Sequence, residues 1–223
     1  MTSLQNIIFE GPDNTGKTSV INVLSEVLAE LSILGLIDNR FSKPEVHKYS
    51  GNSSLKENIK ERSIAKYKHL FEEVYVNDDG GIRYFDRAHG GEVVYSKKYR
   101  GYDPSYILDL EKQYIHDHMF KSFIILLTDS AENLIKREDG GSFAKSHEEK
   151  LLELARWEEF IQVSYMPILY INLDLEKLDT LEKSVNRVFE LILDIVTDDY
   201  HGGDDYSSTL EKGKHLIKEW FQK

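Results

Sequence analysis

A glycine-rich stretch near the start of the chain combines residue types that bind phosphate. Residues 11–18 follow the pattern Gly-x-x-x-x-Gly-Lys-Thr and come directly after the apolar run 7–9. Backbone amides of small residues can turn inward on an anion, and a helix that begins at Thr18 adds unpaired N–H groups at its positive end. Lys17 can reach the β- and γ-phosphates, and the Thr18 hydroxyl can be a ligand of Mg²⁺. We therefore predict that this segment, the glycine loop (residues 11–18), binds ATP; the alternative is an ordinary glycine turn before a helix. The predicted nucleotide-binding residues are Gly11, Asn14, Thr15, Gly16, Lys17, Thr18 and Ser19.

An acid and an arginine follow a later apolar run. Asp86 and Arg87 come directly after residues 82–85, which are predicted to form a strand. In an open parallel sheet the ligand cleft lies at the carboxyl ends of the strands, so this pair is expected to face the same cleft as the glycine loop. There Asp86 can hold Mg²⁺ together with Thr18, and Arg87 can hold a second phosphate. The alternative is an ion pair at the end of a strand.

Strands and helices are predicted to alternate along the chain. The predicted strands are residues 7–9, 40–47, 82–85, 123–127 and 168–171. The predicted helices are residues 18–34, 53–76, 92–99, about 104–118, 131–137, 148–163, 181–196 and 210–221, with a loop over 197–208. Because most of the strands are apolar throughout, the pattern predicts an α/β fold with a parallel sheet covered by helices on both faces.

Composition limits the classes of function. The chain has 223 residues and a net charge of −11, with 39 acidic against 28 basic residues, so binding to long nucleic acid is not expected. A small phosphorylated ligand needs only a few cations in one cleft. The chain has no cysteine, which excludes disulfides and thiolate zinc sites. It also has no apolar run of about 18 residues and no signal-peptide pattern, so we expect a cytoplasmic protein without a membrane anchor.

Three sequence elements together resemble the thymidylate kinase family, and P-loop deoxynucleotide kinases more widely. They are Phe9-Glu10-Gly11-x-Asp13, the pair Asp86-Arg87, and Tyr95 eight residues after the arginine. The resemblance covers about residues 7–193 and implies a P-loop kinase three-layer fold with a five-stranded parallel sheet. It also implies a mobile lid at about residues 137–147. The predicted kinase domain is residues 1–196, with an acidic loop and C-terminal helix (197–223) packed on it.

The resemblance also implies roles for individual residues. Asp13 would contact the 3′-hydroxyl of the acceptor sugar, and Arg87 would hold the acceptor 5′-phosphate. Tyr95 would lie where a 2′-hydroxyl would be, which favours deoxyribose, and Arg137 would move in with the lid to neutralise charge on the transferred phosphoryl group. Glu92 is a further candidate on the acceptor side, with an exposed helix face as the alternative. The predicted catalytic residues are Lys17, Asp86, Arg87 and Arg137.

The implied reaction is the Mg²⁺- and ATP-dependent phosphorylation of a deoxynucleoside monophosphate, dTMP or a related pyrimidine nucleotide, to the diphosphate. Departures from the family pattern include Asn14, which follows the loop acid where some members have a basic residue, and Ala88, which replaces the usual aromatic after Asp-Arg. The lid also has few basic residues, and the family's arginine on the helix before the third strand has no clear counterpart. A kinase acting on a nucleoside, a modified pyrimidine nucleotide or a base in DNA therefore stays open. So does a nucleotide-dependent binding switch. Members of the family are commonly dimers, and a homodimer is an expectation here.

Overall fold

One parallel sheet organises the molecule. The computed structural model describes residues 6–41, 44–49, 58–77, 81–118, 121–173, 178–198 and 206–222. Within them the strands are β1 (Asn6–Glu10), β2 (Glu45–Lys48), β3 (Arg83–Asp86), β4 (Ser122–Thr128) and β5 (Ile168–Asn172). They pair in the order β2-β3-β1-β4-β5, and every pairing is parallel. The predicted α/β fold with a five-stranded parallel sheet is confirmed.

Helices cover both faces of the sheet. In the described part of the chain they are α1 (Lys17–Ile33), α2 (Ile59–His69), α3 (Gly90–Tyr95), α4 (Tyr106–Asp117), α5 (Ala131–Lys136), α6 (His147–Val163), α7 (Leu178–Asp198) and α8 (Tyr206–Gln222). Helices α2 and α3 continue into wider π-helical turns at Leu70–Val74 and Ser96–Arg100. None of the described helices is long and apolar enough to cross a membrane.

The apolar core forms two layers because successive residues of a strand point to opposite faces. Ile7 and Phe9 of β1 pack into the layer under α1, α7 and α8, whereas Ile8 packs into the layer under α2, α3, α4 and α6. All seven residues of β4 are buried, as the wholly apolar run 123–127 within it predicts. The order of strands places β1 between β3 and β4. The strands β2 and β3 lie on one side of β1, and β4 and β5 lie on the other. This is the topological switch point at which ligands bind in open α/β sheets.

Several predicted boundaries differ from the structure. Residues 39–41 form a 3₁₀ turn and β2 begins only at Glu45, because Pro44 has no N–H to donate to a strand ladder. The predicted loop 197–208 is wrong at both ends, since α7 reaches Asp198 and α8 begins at Tyr206; its middle lies outside the described residues. The predicted helix 53–76 begins at Ile59 among the described residues, and residues 53–57 lie outside them.

The C-terminal helix α8 packs against α1 and α7. Gly213 allows this contact, because a Cβ atom there would lie 2.1 Å from the ring of Phe189 on α7. The hydroxyl of Thr209 lies 3.5 Å from the carbonyl oxygen of Leu36, just after α1, to which it donates.

Candidate functional site

A cleft of about 540 Å³ opens where β1 and β3 end. Its walls are residues 13–19 from the glycine loop and the start of α1, the pair at the end of β3, and part of the lid. The residues outside the glycine loop and α1 are Asp86, Arg87, Arg137, Asp139, Gly141 and Ser142. The structure therefore brings together three sequence features that are far apart along the chain.

Left-handed backbone conformations shape the glycine loop. Gly16, directly before α1, has φ of 80°, and Asn14 has φ of 66°, a conformation that asparagine tolerates better than most residues. Gly11 has φ of 133°, and a Cβ atom there would lie 1.9 Å from the carbonyl oxygen of Leu127. Gly11 thus lies against β4 and outside the lining of the cleft. Gly11 was predicted to bind the nucleotide, but its position gives it a structural role: it lets the loop pass close to the neighbouring strand.

Lys17 is bound to its own loop. Its ammonium group donates to the carbonyl oxygens of Gly11, at 3.0 Å, and of Pro12, and to the hydroxyl of Thr15 at 3.1 Å. The side chain is buried. Burial, and after it the positive charge of Arg87, lower the pKa of Lys17 to about 7. A phosphate placed in the cleft would reverse this effect by stabilising the charged form.

Thr18 and Asp86 form the candidate metal site. The Thr18 hydroxyl, at the start of α1, donates to the Asp86 carboxylate at 3.1 Å. Among the described residues, no group of three or more His, Cys, Asp or Glu side chains could hold a metal ion. Mg²⁺ does not need such a group, because it is usually held by one or two carboxylates together with phosphate oxygens and water. The two oxygens of this site fit that ligand set.

Asp13 and Arg87 form an ion pair across the cleft. Arg87 has φ of 69°, an uncommon conformation for a residue other than glycine, and its backbone N–H donates to the carbonyl oxygen of Phe9 at 3.0 Å. This bond holds the end of β3 against β1 and turns the guanidinium group toward the glycine loop. Two of the residues that were predicted to contact the acceptor therefore contact each other. A phosphate that binds Arg87 must compete with the Asp13 carboxylate.

Glu10 positions the segment that carries Arg87, and sequence reasoning missed this role. The carboxylate of Glu10 accepts hydrogen bonds from the backbone N–H groups of Ala88, at 2.9 Å, and Gly90, at 2.8 Å. Burial raises the pKa of Glu10. Gly90 leaves room for this carboxylate, since a Cβ atom there would lie 3.1 Å from it. The signal in the sequence was an acid at the buried end of an apolar strand, a position that requires partners.

Arg137 lies in the cleft, but an aspartate that sequence reasoning did not single out holds it. Its guanidinium group donates to the Asp129 carboxylate at 2.6 Å, and Asp129 also accepts from the Ser130 backbone N–H and the Asn133 side chain. Asp129 follows β4 directly, at the same edge of the sheet as Asp86. An acid directly after a central strand was the available signal.

Tyr95 lies outside the lining of this cleft. It is 5% exposed, and its hydroxyl donates to the carboxylate of Glu153 on α6. Its ring contacts Phe143 of the lid and Trp157 of α6, with centroid distances of 5.5 and 6.1 Å. Burial, and after it the charge of Glu153, raise the pKa of Tyr95 well above its usual range. Tyr95 is therefore a packed tyrosine whose polar end already has a partner.

Glu92 also lies outside the lining of the cleft. It is buried on α3, and its carboxylate accepts from the hydroxyls of Tyr102 and Tyr106 and pairs with Arg100. The alternative that Glu92 lies on an exposed helix face is wrong. Its carboxylate already has three donors from this chain, so Glu92 holds the segment after α3 against this helix.

Solved structures with a similar fold include those of two other proteins. No family model matches the chain, and no curated protein does either. The YorR protein from Bacillus subtilis, in complex with phosphorylated GDP, is 19% identical over an alignment that covers 89% of this chain and 99% of that one, with a TM-score of 0.61. Thymidylate kinase from Ehrlichia chaffeensis is 16% identical, with 76% of this chain and 87% of that one covered and a TM-score of 0.47. With its five-stranded parallel sheet between helices and its glycine loop at the switch point, the chain has the α/β fold of P-loop kinases.

Proposed function

We propose that this protein transfers the γ-phosphoryl group of ATP to a deoxynucleoside monophosphate, dTMP or a related pyrimidine nucleotide, in the presence of Mg²⁺. One observation carries the proposal: the Thr18–Asp86 pair and the Asp13–Arg87 pair line a single cleft. A nucleotide-dependent switch needs a phosphate loop and a magnesium acid, but it has no need of an acceptor-phosphate arginine beside them.

The donor would bind at the glycine loop. Its phosphates would lie against the amides of residues 13–19, at the positive end of α1. Lys17 would exchange the carbonyl oxygens of its own loop for phosphate oxygens. Thr18 and Asp86 would hold Mg²⁺, whose charge would stabilise the negative charge that develops on the ADP leaving group.

The acceptor would bind at the opposite wall. Arg87 would leave Asp13 and hold the acceptor 5′-phosphate, and the released Asp13 carboxylate would accept a hydrogen bond from the 3′-hydroxyl of the sugar. The exchange replaces one charge-assisted pair with another, so the charge of Arg87 is compensated in both states. Tyr95 would lie beside the sugar once the acceptor is present.

The chemistry asks for position and charge, without a covalent protein intermediate. An oxygen of the acceptor phosphate forms the new bond to the γ-phosphorus while the bond to the bridging oxygen of ADP breaks. The attacking oxygen is already anionic at neutral pH, so no side chain has to remove a proton from it. Arg137, at the edge of the lid, would add positive charge beside the transferred group.

A panel of acceptors tests the proposal. ADP formation from Mg·ATP is measured with each dNMP, with modified pyrimidine dNMPs, with the matching ribonucleotides, and with nucleosides and single-stranded DNA. Because the similar YorR structure holds phosphorylated GDP, the panel also includes GTP as donor and guanine nucleotides as acceptors. We expect ADP formation that depends on a pyrimidine dNMP. ATP turnover that is independent of every acceptor would instead support a switch.

A further inference from the structure

A buried row of charged groups joins the lid to Tyr95. Lys150 and Glu153 lie one turn apart on α6 and are 0% and 2% exposed. The Lys150 ammonium lies 3.4 Å from the carboxylate of Glu138 in the lid and 3.4 Å from the carboxylate of Glu153. Glu153 in turn accepts the hydrogen bond from the Tyr95 hydroxyl. The row therefore runs from Glu138 through Lys150 and Glu153 to Tyr95.

The centre of this row is incompletely paired. Within the described part of the chain, neither the Lys150 ammonium nor the second carboxylate oxygen of Glu153 has a hydrogen-bond partner. Leaving buried charges in this state is costly, since the interior solvates them poorly. One ammonium is shared at equal distance by two carboxylates, so a small shift would complete one pair and break the other. An ammonium placed in this way is able to pair with either carboxylate, which is the kind of element that coupling between two sites requires.

The lid end of the row reaches the nucleotide cleft. Glu138 accepts hydrogen bonds from the Ser142 hydroxyl, from the Ser142 N–H at 3.3 Å and from the Gly140 N–H at 2.9 Å. Burial opposes ionisation of Glu138, but the hydrogen bonds from Ser142 and Gly140 and the charge of Lys150 together outweigh it and lower the pKa of Glu138 to about 2. Ser142 lines the cleft, with its hydroxyl 3.5 Å from the side-chain nitrogen of Asn14 in the glycine loop. Phosphates bound at the glycine loop would therefore touch the segment that holds Glu138.

The other end of the row is Tyr95, which was predicted to contact the acceptor sugar. Tyr95 is the last residue of α3, the helix that follows Arg87 and the amides bound by Glu10. Its ring packs between Phe143 of the lid and Trp157 of α6. Burial raises the pKa of Glu153. The hydrogen bond from Tyr95 lowers this pKa, and the negative charge of Asp13 raises it. A change in the charge balance at Glu153 thus acts on Tyr95, one of the predicted acceptor contacts.

We propose that Lys150 is a positioning residue that transmits occupancy of the glycine loop to Tyr95. When donor phosphates draw the lid toward the glycine loop, Glu138 moves away from Lys150, and Lys150 completes its pair with Glu153. Glu153 then holds the Tyr95 hydroxyl less strongly, and Tyr95 is freed to contact the acceptor sugar. The assignment of the two sites as donor and acceptor rests on the proposed function.

Fluorescence of Trp157 tests this coupling without an acceptor. The chain has two tryptophans, so in a Trp220→Phe background Trp157 alone reports, from a position beside the Tyr95 ring. The probe is the Mg²⁺ complex of a non-hydrolysable ATP analogue at saturation. We expect a fluorescence change in this background, a loss of at least half of that change in Lys150→Met, and its recovery in Lys150→Arg. The dissociation constant of the analogue, measured by calorimetry, should stay within about threefold.

The controls make each outcome decisive. Glu159→Gln changes an exposed acid on the same helix and should keep the full signal. If Lys150→Met does not fold, Glu153→Gln, which keeps the shape of the side chain, is expected to lose the signal in its place. A full signal in a folded Lys150→Met or Glu153→Gln chain, or no signal in the Trp220→Phe background at saturation, would overturn the inference.

The two proposals fail differently in this experiment. A signal that depends on Lys150, in a chain that phosphorylates no nucleotide, contradicts the proposed function and supports the coupling. If the chain phosphorylates a dNMP and its Trp157 signal is unchanged in Lys150→Met, the coupling alone is contradicted.

Discussion

The two walls of the cleft are built in different ways. The glycine loop is one continuous stretch between β1 and α1, and backbone conformation and the helix end shape it. The proposed acceptor wall is the end of β3 together with the lid, and α3 and α6 contact the lid outside the lining of the cleft. The contact between the two walls, Asp13–Arg87, joins residues 74 apart, and Tyr95–Glu153, between α3 and α6, joins residues 58 apart. Under the proposed function, donor binding is therefore encoded in one stretch of the sequence, whereas acceptor recognition depends on contacts between distant elements.

The walls also differ in how their charges are compensated. On the acceptor wall Arg87 is paired with Asp13, and at the lid Arg137 is paired with Asp129. On the glycine loop, Lys17 has only neutral oxygens as partners in hydrogen bonds. An arriving anion restores charge to Lys17 but has to displace a carboxylate from Arg87. We therefore expect substitutions in the glycine loop to reduce turnover strongly, and substitutions in the acceptor wall to reduce it by a smaller factor.

The largest effect is expected at the glycine loop. Lys17→Ala should lower kcat on the order of 100- to 1,000-fold, the usual cost of removing one group that stabilises transition-state charge. Thermal unfolding followed by circular dichroism should show that the fold is retained. Lys218→Ala, an exposed site on α8, is the control and should turn over normally. Full activity of Lys17→Ala would remove this residue from the mechanism.

A smaller and more selective effect is expected at the acceptor wall. Arg87→Lys keeps the positive charge but loses the planar donor pair that fits a phosphate. We expect kcat/KM for the acceptor to fall about 10- to 100-fold, the value of one charge-assisted hydrogen bond, while KM for ATP changes little. Arg187→Lys, at an exposed position on α7, is the matched control. A rise in KM for ATP alone would place Arg87 on the donor side.

The sugar should be distinguished by a still smaller factor. If Tyr95 lies beside the 2′ position, kcat/KM for a dNMP should exceed that for the matching NMP by about 10- to 100-fold, the usual limit for rejecting one additional hydroxyl. Tyr95→Ala should bring the two values closer together. Equal values in the unchanged chain would contradict a role for Tyr95 in choosing deoxyribose.

The smallest expected effect is the uptake of a proton by Lys17 when a nucleotide binds at the glycine loop. With a pKa of about 7, Lys17 is mostly neutral at pH 8 in the free chain, and a bound triphosphate restores its charge. Binding of the Mg²⁺ complex of a non-hydrolysable ATP analogue at pH 8 should therefore take up close to one proton. The uptake should shrink toward pH 6, where Lys17 is already protonated. Calorimetry in buffers of different ionisation enthalpy measures this number, and Lys17→Met should show none.

The same contrast explains what could be predicted from the sequence. The glycine loop, the apolar strands and the place of Asp86 and Arg87 follow from local patterns and from one rule about parallel sheets. The partners of Arg137 and Tyr95 do not. Asp129 is marked as an acid directly after a central strand, but nothing local pairs it with Arg137, and no local pattern marks Glu153. Glu92 was open between two interpretations, since its burial depends on Tyr102 and Tyr106 folding back over α3. Long-range side-chain pairs need coordinates.

Phosphorus NMR of a single reaction mixture tests the central claim most directly. The mixture contains the protein, Mg·ATP and the dNMP that gives the most ADP in the acceptor panel. We predict that the γ-phosphate signal of ATP decreases while the β-phosphate signal of the deoxynucleoside diphosphate grows in equal amount. Inorganic phosphate that accumulates at the same rate with and without the dNMP, with the dNMP signal unchanged, would contradict transfer between two nucleotides in this cleft.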